Sequence, residues 1–144
     1  NAGDGFDYSP LYEMPEIKSL QCSTVYGAGE RFFTELDCER ITGLQDIHVT
    51  SRGYRNYKKI STLKSLELSG SNELPNLSFL KTMKSLKTFV FNMNVKDGNL
   101  SLCTGLSYVY SERNRKHYNL KNTELPKGQY VRGNEGIEVW RRCE

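Results

Sequence analysis

The stretch ISTLKSLELSGSNELPNLSFLKTMKSLKTFVF, residues 60–91, decides the fold, because one short apolar pattern occurs in it twice. The residues at offsets of zero, three and five are first Leu63, Leu66 and Leu68, and then Leu86, Phe89 and Phe91. A step of two keeps two side chains on the same face of a strand. Between the two copies, apolar residues advance in the steps of three that suit a 3₁₀ turn, at Leu77, Leu80 and Met83. The stretch therefore predicts a short strand and a tight turn, repeated.

The same offsets recur elsewhere in the chain. They are occupied by Ile17, Leu20 and Cys22, by Leu44, Ile47 and Val49, and in part by Leu106 and Val109. Five units at spacings of about 19 to 27 residues lie in the range where self-similarity indicates a repeat architecture. The predicted core consists of the apolar lead-in residues, such as Met14, Leu77 and Leu80, together with the inward strand positions, namely Leu20, Cys22, Ile47, Val49, Leu66, Leu68, Phe89, Phe91 and Val109.

The strand pattern L-x-x-L-x-L is met by LKSLEL at 63–68 and, with Phe substituted, by LKTFVF at 86–91. On these residues the chain resembles the leucine-rich repeats, and its lead-in segments are similar to those of bacterial, internalin-type repeats. The resemblance implies an α/β fold, a solenoid of about five irregular repeats with a short parallel sheet. The Asn that this family places three positions after the last strand residue is present at Asn94 and Asn114, so we expect a partial Asn ladder.

We predict one domain over residues 1–144, with repeats in 8–115 and a C-terminal cap in 116–144. The segment TVYGAGERFFTEL, residues 24–36, is a predicted insertion between the first two units. The segment QYVRGNEGIEVWRR, residues 129–142, predicts a β-hairpin that turns at 133–136. Because the last coil of a solenoid would otherwise expose an apolar end, we expect this hairpin to be the cap.

The composition argues against several classes of function. A net charge of +3 and a pI near 8.6 are too mild for a dedicated nucleic-acid-binding domain. No apolar run approaches the ~18 residues of a membrane helix, and no signal-peptide pattern opens the sequence. The four cysteines and two histidines form no metal-binding motif, so we predict no metal and no cofactor. We interpret the cysteines as free thiols of a cytoplasmic protein, with disulfides in a secreted protein as the alternative.

Alternation along the predicted strands places a second set of side chains on the outer, concave face of the sheet. We expect this face to be exposed, with Ser65 and Thr88 among its residues, and solenoids use such faces to bind proteins. The predicted partner-binding residues are Asp46, His48, Glu67, Val90, Asn92, Tyr108, Tyr110 and Glu112. Tyrosine offers a large contact area at a small entropic cost, so Tyr108 and Tyr110 are the predicted anchors. A solvated sheet face without a partner is the alternative interpretation.

His48 and Glu67 are the one pair that resembles an acid/base site. They are predicted in register on adjacent strands, within hydrogen-bond reach of each other. We identify no Ser or Cys nucleophile beside an activating base, and an open sheet does little to exclude water. We therefore interpret the pair as part of a binding face and predict that the protein is not an enzyme, with no catalytic residue.

The predicted function is binding of another protein through the concave face, by a chain that is a monomer. A small cytoplasmic bacterial repeat protein is compatible with an immunity protein that neutralises a toxin, which is an analogy to how such folds are used. The alternative is a secreted or surface-exposed adhesion domain from a longer chain. An enzyme is a third hypothesis, and it depends on His48 and Glu67 alone.

Overall fold

A five-stranded parallel sheet dominates the computed structural model, which describes residues 9–22, 36–49, 54–71 and 73–132. The strands are β1 (Ser19–Cys22), β2 (Leu36–Asp37), β3 (Asp46–Val49), β4 (Tyr54–Arg55), β5 (Ser65–Leu68), β6 (Glu73–Leu74), β7 (Thr88–Phe91), β8 (Asn94–Val95) and β9 (Tyr108–Ser111). The main sheet has the order β1-β3-β5-β7-β9. The prediction of a mixed α/β chain with a short parallel sheet is confirmed.

The register of the main sheet follows the apolar offsets of the sequence. Leu20 pairs with Ile47, Ile47 with Leu66, Leu66 with Phe89 and Phe89 with Val109. The second inward row continues from Val49 through Leu68 and Phe91 to Ser111. Since equivalent residues pair without an offset, each position of the pattern forms a straight row across the sheet.

The core lies directly behind these rows. Leu66, Leu68 and Phe89 are fully buried, and the rings of Phe89 and Phe91 stack with centroids 4.8 Å apart. The predicted core residues whose side chains the structure describes are all buried, namely Leu20, Ile47, Val49, Leu66, Leu68, Phe89, Phe91 and Val109. That part of the prediction is confirmed, while the side chain of Cys22 lies outside the described part. Of the lead-in residues, Leu77 and Leu80 are buried, but Met14 is exposed, so its place in the predicted core is wrong.

Short helical turns connect the strands. One α-helical turn spans Ser9–Tyr12, and 3₁₀ turns span Cys38–Arg40, Tyr57–Lys59, Ser78–Lys81, Ser101–Gly105 and Asn122–Glu124. A carboxylate or amide begins several of them by accepting a backbone N–H, as Asp37 does from Glu39 and Asn76 does from Ser78. The turns bury small apolar groups, including the thiols of Cys38 and Cys103. Burial raises the pKa of the Cys103 thiol to about 12, so this cysteine is a core residue rather than a reactive one.

Two small parallel ladders flank the main sheet, and the sequence pattern did not predict them. β2 pairs with β4, and β6 pairs with β8. The predicted hairpin turn at 133–136 and the predicted insertion over 24–35 lie outside the described residues, and Leu36 at the end of that insertion begins β2. No helix among the described residues is long and apolar enough to cross a membrane.

Candidate binding face

The outward face of the main sheet is organised in three columns. The first column holds Ser19, Asp46, Ser65, Thr88 and Tyr108, and the described side chains of the middle column are His48, Glu67, Val90 and Tyr110. The third column follows the strand ends and includes Ser69, Asn92 and Glu112, whose backbone N–H groups donate to the preceding strands. All eight residues predicted to bind a partner belong to these columns.

The C-terminal segment, residues 126–132, covers the first column. Lys127 forms an antiparallel bridge with Tyr108, and the Gly128 N–H donates to the carbonyl of Ser107 at 2.9 Å. Gly128 approaches so closely that a Cβ there would lie 2.7 Å from that carbonyl oxygen. Tyr130 then packs edge-on against the ring of Tyr108, with centroids 5.2 Å apart. The segment thus leaves the edge of β9 and continues across the face.

This covering corrects part of the predicted face. Asp46, Ser65 and Thr88 were expected to be exposed, yet their exposed fractions are 3%, 7% and 0%. Val131 forms two hydrogen bonds with the Thr88 hydroxyl and covers it. Tyr130 and Arg132 lie over Asp46 and Ser65, and these residues together line a cavity of about 240 Å³.

Val90 was also expected to be exposed and is buried, with 4% of its surface accessible. It pairs in register with Glu67 on one side and Tyr110 on the other. Strands in a sheet are only about 4.8 Å apart, and both neighbours have larger side chains than valine. The side chains of Glu67 and Tyr110 therefore cover Val90. Of the predicted contact residues, Asp46 and Val90 therefore offer little surface to a partner.

The structure adds a third residue to the predicted pair of His48 and Glu67. His48 Nδ1 lies 2.8 Å from a carboxylate oxygen of Glu67, and His48 Nε2 lies 3.0 Å from the hydroxyl oxygen of Ser69. A serine hydroxyl thus lies beside this histidine, where none was identified from the sequence. Ser69 follows Glu67 by two positions, so strand alternation, which places both on one face, is the sequence signal that could have identified it.

Tyr110 and Tyr108 form an aromatic end of the face together with Lys127. The Lys127 ammonium group lies 5.6 Å from the centroid of the Tyr108 ring and 5.8 Å from that of the Tyr110 ring. The same group donates to the carbonyl of Val109 and to the Asn122 side chain. Burial lowers the pKa of Lys127. Both tyrosines are half-buried, which leaves part of each ring available to a partner.

Asn92 connects the strand ends of the third column. Its side-chain oxygen accepts the Gly70 N–H at 2.9 Å, and its amide nitrogen donates to Glu112 at 3.1 Å. Arg115 adds a hydrogen bond to the Asn92 carbonyl. Of the two predicted ladder residues, Asn114 accepts the backbone N–H of Asn122 at the start of a turn, whereas Asn94 donates to the Glu73 carboxylate. The residue predicted to accept a turn N–H was Asn94, but the residue that does so is Asn92, two positions earlier, which accepts the N–H of Gly70.

No cluster of three or more potential metal-binding side chains occurs among the described residues. No protein-family model matches the chain, and neither a curated protein nor a solved structure gives a significant match.

Proposed function

We propose that the chain is a leucine-rich-repeat solenoid whose outward sheet face binds another protein, and that binding rather than catalysis is its main role. The observation that supports this proposal most is the contact between the face and the C-terminal segment. An extended polypeptide already lies across the first column, held by backbone hydrogen bonds and by the ring of Tyr130. A surface that accommodates one extended segment in this way offers the geometry that a second polypeptide needs.

The proposed contact surface consists of the predicted residues that remain partly exposed. They are His48, Glu67, Asn92, Tyr108, Tyr110 and Glu112. The two tyrosines supply apolar area at one end, and Glu67 and Glu112 supply carboxylates beside it. Tyrosines that are partly buried before binding lose little side-chain entropy when a partner covers them, which favours them as energetic anchors.

Within this class, the more specific proposal is a monomeric, cytoplasmic bacterial immunity protein that neutralises a toxin. The alternative is a secreted or surface domain that contributes to adhesion. A toxin gene next to the gene for this chain, and rescue of growth when both are expressed together, would favour the first. An upstream signal peptide or cell-wall anchor in the full gene would favour the second.

The test is affinity capture from a lysate of the source cells, with the wild-type chain compared with a Tyr110→Ala, Glu67→Lys double variant. The matched control is Leu102→Ala, because Leu102 is an exposed apolar residue of the turn Ser101–Gly105, outside the sheet face. We expect one protein that wild type and control retain and that the double variant, with an unchanged melting curve, loses. Equal capture by all three variants would place binding elsewhere and contradict the proposal.

A further inference from the structure

Three side chains on the outward face have the hydrogen-bond order of a nucleophile, a base and an orienting acid. Ser69 Oγ lies 3.0 Å from His48 Nε2, and His48 Nδ1 lies 2.8 Å from Glu67 Oε2. A nucleophile within hydrogen-bond reach of a base, with the base oriented by a third group, is the arrangement that activates a serine. We propose that Ser69 is a nucleophilic serine that accepts an acyl group from an activated carboxylic ester.

The hydrogen-bond network assigns the role of each atom. A carboxylate can only accept, so His48 donates its Nδ1 proton to Glu67, and in the neutral imidazole Nε2 is then the nitrogen that accepts. Ser69 then donates its hydroxyl proton to Nε2. Glu67 acts through His48, and it is therefore a positioning residue, whereas Ser69 and His48 contact the reacting atoms.

The sheet holds the three side chains in place, so their arrangement does not depend on a flexible loop. His48 and Glu67 pair in register on β3 and β5, and the Ser69 N–H donates to the Val49 carbonyl at 2.9 Å, which fixes the start of the third column. His48 and Glu67 expose 24% and 20% of their side chains, and Ser69 is half-buried. A cavity of about 240 Å³ opens beside His48 and Glu67 on the side of Asp46 and Ser65, and Ser69 lies outside its lining.

The acyl transfer balances with these groups alone. Ser69 Oγ forms a bond to the acyl carbon while its proton moves to His48 Nε2. The bond between the acyl carbon and the leaving oxygen then breaks, and Nε2 returns the proton to that oxygen. The products are acyl-Ser69 and an alcohol, and attack by water with the same proton transfers releases the carboxylic acid and restores Ser69.

One feature limits the rate that we expect. The N–H that follows a nucleophilic serine commonly stabilises the negative charge on the carbonyl oxygen, but the Gly70 N–H already donates to Asn92. Loss of one such donor costs about 10²- to 10³-fold in rate in enzymes that depend on it. We therefore expect slow, site-specific acylation of Ser69 rather than rapid turnover. Acylation of Ser69 needs no partner protein, so the purified chain is enough to test it.

The experiment exposes the purified protein to excess p-nitrophenyl acetate and locates the acetyl groups by peptide mass mapping over time. We expect Ser69 to be acetylated, and His48→Asn to slow this step by about 10²-fold or more, the usual contribution of a general base. Ser71→Ala is the matched control, because Ser71 is exposed and lies two residues from the nucleophile. Its loss should leave the acetylation rate of Ser69 unchanged.

Glu67→Gln distinguishes positioning from a merely structural effect. An amide that donates to His48 Nδ1 stabilises the wrong tautomer, so both the acetylation rate and the downfield NMR signal of the Nδ1 proton should be lost while the melting temperature stays the same. If Ser69 of the wild-type protein gains no acetyl group, that result alone overturns the proposal. Equal acetylation rates in wild type and a folded His48→Asn variant overturn it as well.

Discussion

Thr88 and Val131 exchange two hydrogen bonds although 43 positions separate them in the sequence. The Thr88 hydroxyl donates to the Val131 carbonyl at 2.7 Å and accepts the Val131 N–H at 3.0 Å. The buried Thr88 hydroxyl thus satisfies both the N–H and the carbonyl of Val131, which has no strand partner at that point among the described residues. The hydroxyl is one of the contacts that hold the C-terminal segment on the first column, together with the bridge at Lys127 and the ring of Tyr130.

We predict that Thr88→Val weakens this contact. Valine keeps the shape of threonine but leaves the N–H and the carbonyl of Val131 without their partner, which should lower the free energy of unfolding by about 1–3 kcal/mol. Limited trypsin digestion should also cleave faster after Lys127 and Arg132. Thr104→Val is the control, because that hydroxyl bonds within its own exposed turn. An unchanged digestion rate in Thr88→Val would contradict the role assigned to the hydroxyl.

Two glycines provide a matched test of backbone conformation. Gly98 has φ +69° and a Cβ there would overlap the carbonyl of His117, whereas a Cβ at Gly105 meets no atom within 4 Å. Gly98→Ala should therefore destabilise the protein by more than about 1 kcal/mol, while Gly105→Ala should be neutral or stabilise it by about 0.4–1 kcal/mol. Chemical denaturation of both variants measures the difference. Equal stabilities would show that the turn at Gly98 relaxes around the added methyl group.

Phe89→Ala tests the register of the core. Phe89 is fully buried between the stacked ring of Phe91 and the edge-on ring of Phe79, whose centroid is 6.4 Å away. Removing the ring should cost about 3–5 kcal/mol, from lost burial and from the cavity that remains. Leu102→Ala serves as the exposed control, with an expected change within about 0.5 kcal/mol. The two variants are compared by urea denaturation. Comparable unfolding midpoints for Phe89→Ala and Leu102→Ala would contradict the assigned register.

Asp37 should make stability depend on pH at the acid end. The side-chain hydrogen bond from Asn56 lowers the pKa of Asp37, burial opposes this, and the Glu39 N–H and Arg55 lower it further. Because the folded pKa lies below the ordinary value of 3.8, the stabilisation is complete above that pH and is lost as the pH falls through the folded pKa. Urea unfolding from about pH 5 to about pH 2.5 should therefore show a smaller loss in Asp37→Asn than in wild type. Parallel pH profiles would contradict this assignment.

The inward half of the sheet was predictable because burial imposes a period on the sequence. Offsets of three and two place Leu66, Leu68 and Phe89 correctly, since dry positions behind the sheet favour apolar residues. The same alternation correctly brought His48 next to Glu67. These are local relations, in which the residue type and its spacing carry the information.

The outward half was predicted less well because distant residues decide its exposure. Nothing near Asp46 or Thr88 in the sequence indicates that Tyr130 and Val131 will cover them. The hydrogen bond between the Ser69 hydroxyl and His48 was also not predicted, since it depends on the rotamers of both side chains. Polar side chains have many possible partners, so their pairing follows from three-dimensional packing rather than from a repeat pattern.

The order of the main sheet has a consequence for how the protein is made. In the main sheet β3, β5, β7 and β9 each pair with the sheet strand that comes before them in the chain. Each of them can therefore add to strands that have already formed. Such near-neighbour pairing suits folding that proceeds in chain order as the chain leaves the ribosome. The bond between Thr88 and Val131 cannot form until residue 131 has been synthesised. Until then the first column is open to water, to chaperones and to neighbouring nascent chains.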